Sequence, residues 1–140
     1  MDLSFTPEDQ AFRSEARDWI VSALPEDLAA KAKASAQFSH AEIMRWHKIL
    51  AAKGWSVPHW PEEWGGTGWD ITQRYIYDEE FGLAGAPGLP PFGPAMCASV
   101  LHRFGTPEQK AEWLPRIASA EILPTAVFTE PNTGSDLGSL

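Results

Sequence analysis

Cysteine is nearly absent: Cys97 is the single one in 140 residues. That excludes an internal disulfide and any cysteine-built zinc site, and it suits a reducing compartment. Basic charge is also short, with 11 Lys and Arg against 19 Asp and Glu and a net charge of −8. No strongly basic stretch offsets this, so nucleic acid is not an expected partner. Apolar runs fall far short of the roughly 20 residues that a membrane helix needs, so no membrane span is expected. The opening residues, Met1 to Thr6, have neither the basic start of a signal peptide nor the Arg-rich character of a transit peptide. The default expectation is therefore cytoplasmic. Histidines 40, 47, 59 and 102 show no HExxH or paired-ligand spacing, so no metal site is expected. A G-x-S-x-G elbow is missing as well, which leaves Ser135 without the setting of a hydrolase nucleophile.

What is present is a chain the size of one domain, able to bury a core: 44% of its residues are hydrophobic. Seven tryptophans are many for this length, and five fall between Trp46 and Trp69. They are expected to form an aromatic packing surface or a subunit contact rather than a platform for stacking ligands.

Helix signals dominate. Thr6 is a suitable N-cap, Pro7 fits the first helical position, and Glu8 and Asp9 suit the positive end of the helix dipole. Phe12, Ala16, Trp19, Ile20, Ala23 and Leu24 then form one apolar stripe that Pro25 ends. Residues 26–36 read as a short exposed helix or a connector. Ser39 with Glu42 has capping-box spacing and opens a helix with Ile43, Trp46, Ile49 and Leu50 inward, and Gly54 stands at its left-handed end. Residues 55–70 carry too many Pro and Gly for regular structure. Asp70 or Thr72 caps the next helix, which runs to about Ala84 with Ile71, Tyr75, Ile76 and Phe81 expected inward and Gly85 at the stop. Pro94 to Phe104 is so apolar that a helix buried on most sides is expected. Thr106-Pro107-Glu108-Gln109 opens a last helix with Trp113, Leu114 and Ile117 on its stripe, although Pro115 limits its regularity.

The first strand-like residues come late. Pro124-Thr125-Ala126-Val127-Phe128 reads as a short strand, and Thr129 to Leu140 as a loop of turn formers and hydroxyls. Such a loop offers backbone N–H groups and the hydroxyls of Thr129, Thr133 and Ser135 to a polar cofactor edge or a phosphate. Helices first and a strand last suggest a helical domain over residues 1–120 and the start of a β domain over 121–140. A loop of this kind at the chain's end leads us to expect that the sequence is a piece of a longer protein.

The remaining candidates read as structural. Glu79 and Glu80 project about 100° apart on a helix and so make no acid–base dyad. A solvated or salt-bridged role is expected for them. Gly65-Gly66-Thr67-Gly68 lacks the lysine of a phosphate loop and follows two glutamates, so it reads as a structural turn. Cys97, without a basic neighbour, reads as a buried, inert thiol.

Three segments, in order and spacing, resemble the acyl-CoA dehydrogenase family. Thr129-Glu130-Pro131-x-x-Gly134-Ser135-Asp136 resembles its flavin-binding signature. Pro61-Glu62-Glu63-Trp64-Gly65-Gly66-x-Gly68 is similar to the family's Pro-Glu-x-aromatic-Gly-Gly loop. Gly105-Thr106-Pro107-Glu108-Gln109-Lys110 with Leu114-Pro115 is similar to the segment before the signature. The resemblance implies a mainly α chain: the N-terminal helical domain of the fold, with the opening of a middle β-barrel.

It further implies FAD as cofactor and α,β-dehydrogenation of an acyl-CoA substrate. Ala126, Phe128 and Thr129 would meet the flavin ring, and Gly134 and Ser135 would lie by the FAD pyrophosphate or the acyl-CoA. Hydroxyl and N–H donors at the ring's N1–C2=O edge would favour its reduction. The family's catalytic glutamate belongs to a C-terminal bundle, so no catalytic residue is expected here and the isolated chain is expected to be inactive. Met96 and Val100 are the candidates for walling the acyl group. The implied partners are electron-transfer flavoprotein or a similar acceptor, and a homo- or hetero-oligomer. The Trp-rich run and the Ala84-Gly85-Ala86-Pro87 turn resemble bacterial members that pair as unlike subunits. Ala120 departs from a frequent family glycine. Other readings of the same residues are a non-catalytic helical interaction subunit, or an acyl-CoA oxidase or flavin monooxygenase of the same architecture.

Overall fold

In a computed structural model, residues 4–125, 129–136 and 138 are described. Six α-helices run in order: α1 (Pro7–Ala23), α2 (Glu26–Lys33), α3 (His40–Lys53), α4 (Ile71–Leu83), α5 (Ala98–Phe104) and α6 (Pro107–Ala118). A 3₁₀ turn, Glu62–Trp64, interrupts the segment between α3 and α4, and a π-helical turn, Phe92–Cys97, leads into α5. Among the described residues there is no strand, and one isolated antiparallel bridge pairs Glu130 with Thr133. The expected strand falls largely on 126–128, outside the described residues.

Local signals start four of the helices. Thr6 with Asp9, Ser39 with Glu42, Asp70 with Gln73 and Thr106 with Gln109 each form a reciprocal capping box, which satisfies orphan backbone N–H groups at the helix start. Gly54 closes α3 with φ +82°, the left-handed conformation that costs glycine little. Residues 26–33 are helical, and Leu28 is fully buried, so this segment is a packed element and not an exposed connector.

Two apolar clusters hold these elements. The larger joins Ile20, Leu24, Leu28, Trp46, Leu50, Trp55 and Tyr77, with Phe12, Trp19, Trp69 and Phe81 packed around it. Trp55 meets Trp19, Trp69 and Tyr77 edge-on at centroid distances of 4.8, 5.2 and 5.7 Å, the arrangement aromatic quadrupoles favour. The tryptophan-rich stretch is thus core. The smaller cluster joins Val57, Trp60, Ala98, Leu114 and Ile117.

Helix α4 differs from its expected orientation. Ile71 is 80% exposed and Tyr75 56%, while Ile76, Tyr77 and Glu80 are buried. The reason is polar. Glu80 accepts hydrogen bonds from Arg13 Nη1 at 2.7 Å and from Arg17 Nε and Nη2 at 2.8 and 2.9 Å, and Arg13 also pairs with Glu79. A buried carboxylate left unpaired costs more than exposing two apolar side chains, so the ion pairs set the helix's rotation. The salt-bridged reading of Glu79 and Glu80 holds, and Arg13, which lies off the apolar stripe of α1, is their partner.

The helix expected over 94–104 is also different. It begins as the π-helical turn and is not buried: Met96 is 42% exposed, Val100 59% and Phe104 77%, with Ala98 and Gly93 buried. Cys97 is half-buried rather than enclosed.

Candidate functional site

The 129–136 segment folds on itself. Glu130 N–H donates to the Thr133 carbonyl at 2.8 Å, and Thr133 N–H donates back to the Glu130 carbonyl at 3.2 Å. Pro131 and Asn132 make the corner, where the fixed φ of proline suits the first turn position. The Thr133 hydroxyl donates to the Asp136 carbonyl at 2.7 Å, so it serves the loop's own shape. Thr129 and Ser135, in contrast, are exposed. Two uncharged hydroxyls therefore stand on a turn whose charged members are Glu130 and Asp136. That donor set fits a hydrogen-bond-accepting, uncharged ring edge better than it fits an anion. A Cβ added at Gly134 would meet Thr129 Cγ2 at 3.6 Å, an ordinary contact, so nothing within the described residues requires glycine there. Ala126 and Phe128 lie outside the described residues.

An apolar pocket of about 420 Å³ is lined by Cys97, Leu101, Trp113, Ile117, Ile122, Leu123 and Pro124. It joins α5 and α6 to the stretch that leads into the loop. The two candidate acyl-wall residues do not line it. Met96, in the π-helical turn, and Val100 stand one turn apart and, with Phe104, make an exposed apolar stripe that runs onto α5 beside the Cys97–Leu101 face. The structure thus brings Thr129, Gly134 and Ser135 into one turn, and Met96 and Val100 onto one apolar stripe.

The pocket itself was missed from sequence because its walls come from three elements. The signal that could have found it is the i, i+4 spacing of Cys97 with Leu101 and of Trp113 with Ile117.

The other polar candidates are structural or unassigned. Among the described residues no group of three or more His, Cys, Asp or Glu side chains could hold a metal ion. His59 Nε2 lies 3.5 Å from Asp78 Oδ1, both largely exposed. His102 packs edge-on against Trp60 at 5.0 Å. His47 is fully buried, neither ring nitrogen has a well-formed hydrogen bond, and burial pushes its pKa down, opposed in part by the Ala118 carbonyl. The glycine turn is rigid in a definite way: a Cβ at Gly66 would stand 1.7 Å from the Trp60 carbonyl oxygen. No helix among the described residues is long and apolar enough to cross a membrane.

Comparison with known proteins agrees with the helical fold. The family model for the acyl-CoA dehydrogenase N-terminal domain matches residues 6–121. Acyl-CoA dehydrogenase IpdE1 of Mycolicibacterium smegmatis is 36% identical over 138 residues, covering 95% of this chain and 35% of that protein. (2S)-Methylsuccinyl-CoA dehydrogenase of Cereibacter sphaeroides is 51% identical over 82 residues, 57% of this chain and 15% of that protein. Among solved structures, the Tcur3481–Tcur3483 steroid ACAD superposes with a TM-score of 0.77 at 33% identity, covering all of this chain and 36% of that one. The ChsE4–ChsE5 complex of Mycobacterium tuberculosis gives 0.76 at 29% identity, with full cover of this chain and 35% of that one. The chain therefore spans about a third of the length of most of the proteins it matches.

Proposed function

The chain belongs to the acyl-CoA dehydrogenase family, and from that premise we propose that it is the helical part of an FAD-dependent enzyme that dehydrogenates an acyl-CoA thioester between its α and β carbons. The observation that carries the reading is the Glu130–Thr133 turn with the Thr129 and Ser135 hydroxyls exposed beside it. FAD, when bound, supplies the two-electron acceptor. Thr129 would donate a hydrogen bond to the acceptor edge of the flavin ring, the role its neutral hydroxyl suits best; by the family resemblance Ser135 would lie by the cofactor's pyrophosphate or the acyl-CoA. A neutral donor at the ring edge would favour the negative charge that reduction builds there. By the family resemblance Ala126 and Phe128 would share the ring contact, and Gly134 would give the cofactor room to approach the backbone. The proposed division places the helical domain in residues 1–120 and the start of the β domain in 121–140.

No glutamate of this chain serves as the base that removes the α-proton. Glu80 is committed to Arg13 and Arg17, and Glu42 is held down to about 2 by Lys31 and by the Ser39 backbone and hydroxyl. The base comes from another part of the protein, and the isolated chain does not turn over. Met96, in the π-helical turn, and Val100, on α5, are both exposed and wall the acyl group. The neighbours named as a steroid ACAD and as the ChsE4–ChsE5 complex support a bulky acyl group and an unlike subunit as partner. A soluble electron-transfer flavoprotein receives the electrons, in the cytoplasm.

The test is the complete reading frame, expressed with any unlike subunit encoded beside it. A yellow flavin spectrum that bleaches anaerobically with an acyl-CoA thioester is expected, while the 140-residue chain stays colourless. Steroid side-chain, methylsuccinyl and straight-chain thioesters, compared in parallel, identify the acyl class. A complete protein that holds no FAD, or whose flavin no thioester bleaches, sinks the proposal.

A further inference from the structure

The turn before α5 is held from two sides, and both contacts depend on room or on one hydrogen bond. Pro94 has no N–H to give a regular helix, and its ring needs space beside the preceding turn. The chain widens there: Met96 N–H reaches back five residues to the Pro91 carbonyl at 2.9 Å. The Pro94 carbonyl then accepts from Trp60 Nε1 at 2.8 Å. Trp60 is itself fixed, by the edge of His102 against its ring and by the close approach of Gly66 to its backbone carbonyl.

On the other side of the turn, Gly93 is buried against the segment that leads to Thr129. A Cβ there would stand 2.9 Å from Pro124 Cδ and 3.4 Å from Ile117 Cγ2. Gly93 is not among the residues with positive φ, so glycine is needed for space and not for backbone freedom. Pro124 precedes Thr129 by five residues.

We propose that Trp60 and Gly93 are positioning residues, which seat the π-helical turn against Pro124 and so set the 129–136 segment in register with the Met96 face of the same turn. The glycine loop at 65–68 acts through Trp60, whose backbone carbonyl Gly66 closely approaches. The inference rests on the reading of Thr129 and Ser135 as cofactor donors. It adds a mechanical link between the acyl-facing turn and the cofactor-facing loop: the contacts of Pro94 and of Gly93 lie on adjacent residues, so neither can shift without the other.

A mutant cycle in the complete protein tests it. The readout is the dissociation constant of FAD from apoprotein, followed by flavin fluorescence, with the helical circular dichroism of each variant recorded. Gly93→Ala, which presses on Pro124, is expected to weaken FAD about tenfold. Gly93→Ala with Pro124→Ala, which removes the ring atoms it meets, is expected to return within about twofold of wild type. Trp60→Phe, which keeps a ring but loses the donor to Pro94, is expected to weaken FAD in the same direction, and its independent fold keeps the test open if Gly93→Ala does not fold. Gly82→Ala, where a Cβ meets nothing within 4 Å, serves as control. If wild type binds FAD while Trp60→Phe and any folded Gly93→Ala bind it as Gly82→Ala does, the positioning role is overturned and the cofactor reading stands. Weakened binding that Pro124→Ala does not relieve overturns the link through Pro124. A wild-type protein without FAD removes the cofactor reading, and this inference with it.

Discussion

The two halves of this molecule are built on different terms. In the first, α1 to α4 close on one another around a ring of tryptophans, and the buried carboxylate of Glu80 finds two guanidiniums within the same half. In the second, α5 has no side-chain cap and sits where Trp60 and the π-helical turn place it, over a small cluster, with Met96, Val100 and Phe104 turned outward. The first half also exposes Val21, Ile71, Tyr75 and Leu83, so apolar exposure by itself does not set the halves apart. The difference teaches where stability and function separate. One half pairs its buried charge within itself; the other gathers its exposed apolar residues into one stripe, Met96, Val100 and Phe104, on the element that the proposal turns toward the ligand.

The sharpest way to break that comparison is to cut into each half. Trp55→Ala opens a cavity under three aromatic partners and is expected to cost about 3–5 kcal/mol in urea unfolding. Val100→Ala, at an exposed site, is expected to cost no more than about 0.5 kcal/mol in the 140-residue chain. A larger loss at Val100 would mean that α5 is already packed within this chain. In the complete protein, where the proposal places Val100 against an acyl group, the same change should alter the acyl preference rather than the melting point.

A smaller effect comes from the ion pairs. Arg13→Met leaves Glu80 with Arg17 alone and is expected to cost about 2–3 kcal/mol, less than the full loss of a buried pair because one partner remains. If this change costs nothing, Glu80 does not set the rotation of α4, and the exposure of Ile71 needs another cause.

The pH dependence should separate the halves as well. Arg17 and Arg13 hold the Glu80 carboxyl below its ordinary value of 4.5. Its contribution is therefore complete above that pH and is lost as pH falls through the depressed folded value. His47, at the junction of α3 with the end of α6, is held below its ordinary 6.5 by burial. The unfolded chain takes up that proton first, so its contribution is present above about pH 6.5 and declines below it. Urea midpoints are expected to start falling below pH 6.5 in wild type. In His47→Leu the decline between pH 6.5 and 4.5 should be shallower but not absent, because burial and Lys110 hold His102 below 6.5 as well. A wild-type midpoint that stays flat from pH 7 to 5 would show that the imidazole finds a proton acceptor on folding.

What the sequence made legible follows the same division. Each capped helix could be read from a few adjacent residues, because a capping box and an apolar stripe are local facts: Thr6 with Asp9 and Ser39 with Glu42 need no other part of the chain. The rotation of α4 could not be read so, because it hangs on Arg13 and Arg17 some sixty residues earlier. Nor could the state of α5, whose apolar composition says only that it is covered by something, not that the cover lies in this chain. Of the candidate site, Thr129, Gly134 and Ser135 were legible as a turn through Pro131 and the hydroxyls. Gly93 was invisible, since its need for room exists only once Pro124 has folded back.

The smallest expected effect lies at the boundary between the helices and the trailing segment. Ala120 has φ +59° and is 2% exposed. A left-handed alanine costs about 1–2 kcal/mol, which glycine avoids. Glycine in turn loosens the unfolded chain, at about 0.4–1 kcal/mol, and gives up one buried methyl. The terms nearly cancel, so Ala120→Gly is expected to change stability by about 0.5 kcal/mol, on the favourable side if strain dominates. Ala120→Val adds a branched side chain to the same left-handed residue and is expected to lose at least about 1 kcal/mol. The pair is informative because it leaves the first half untouched. If Ala120→Val melts the chain as early as Trp55→Ala does, the trailing segment is tied into the aromatic core, and the two halves are one.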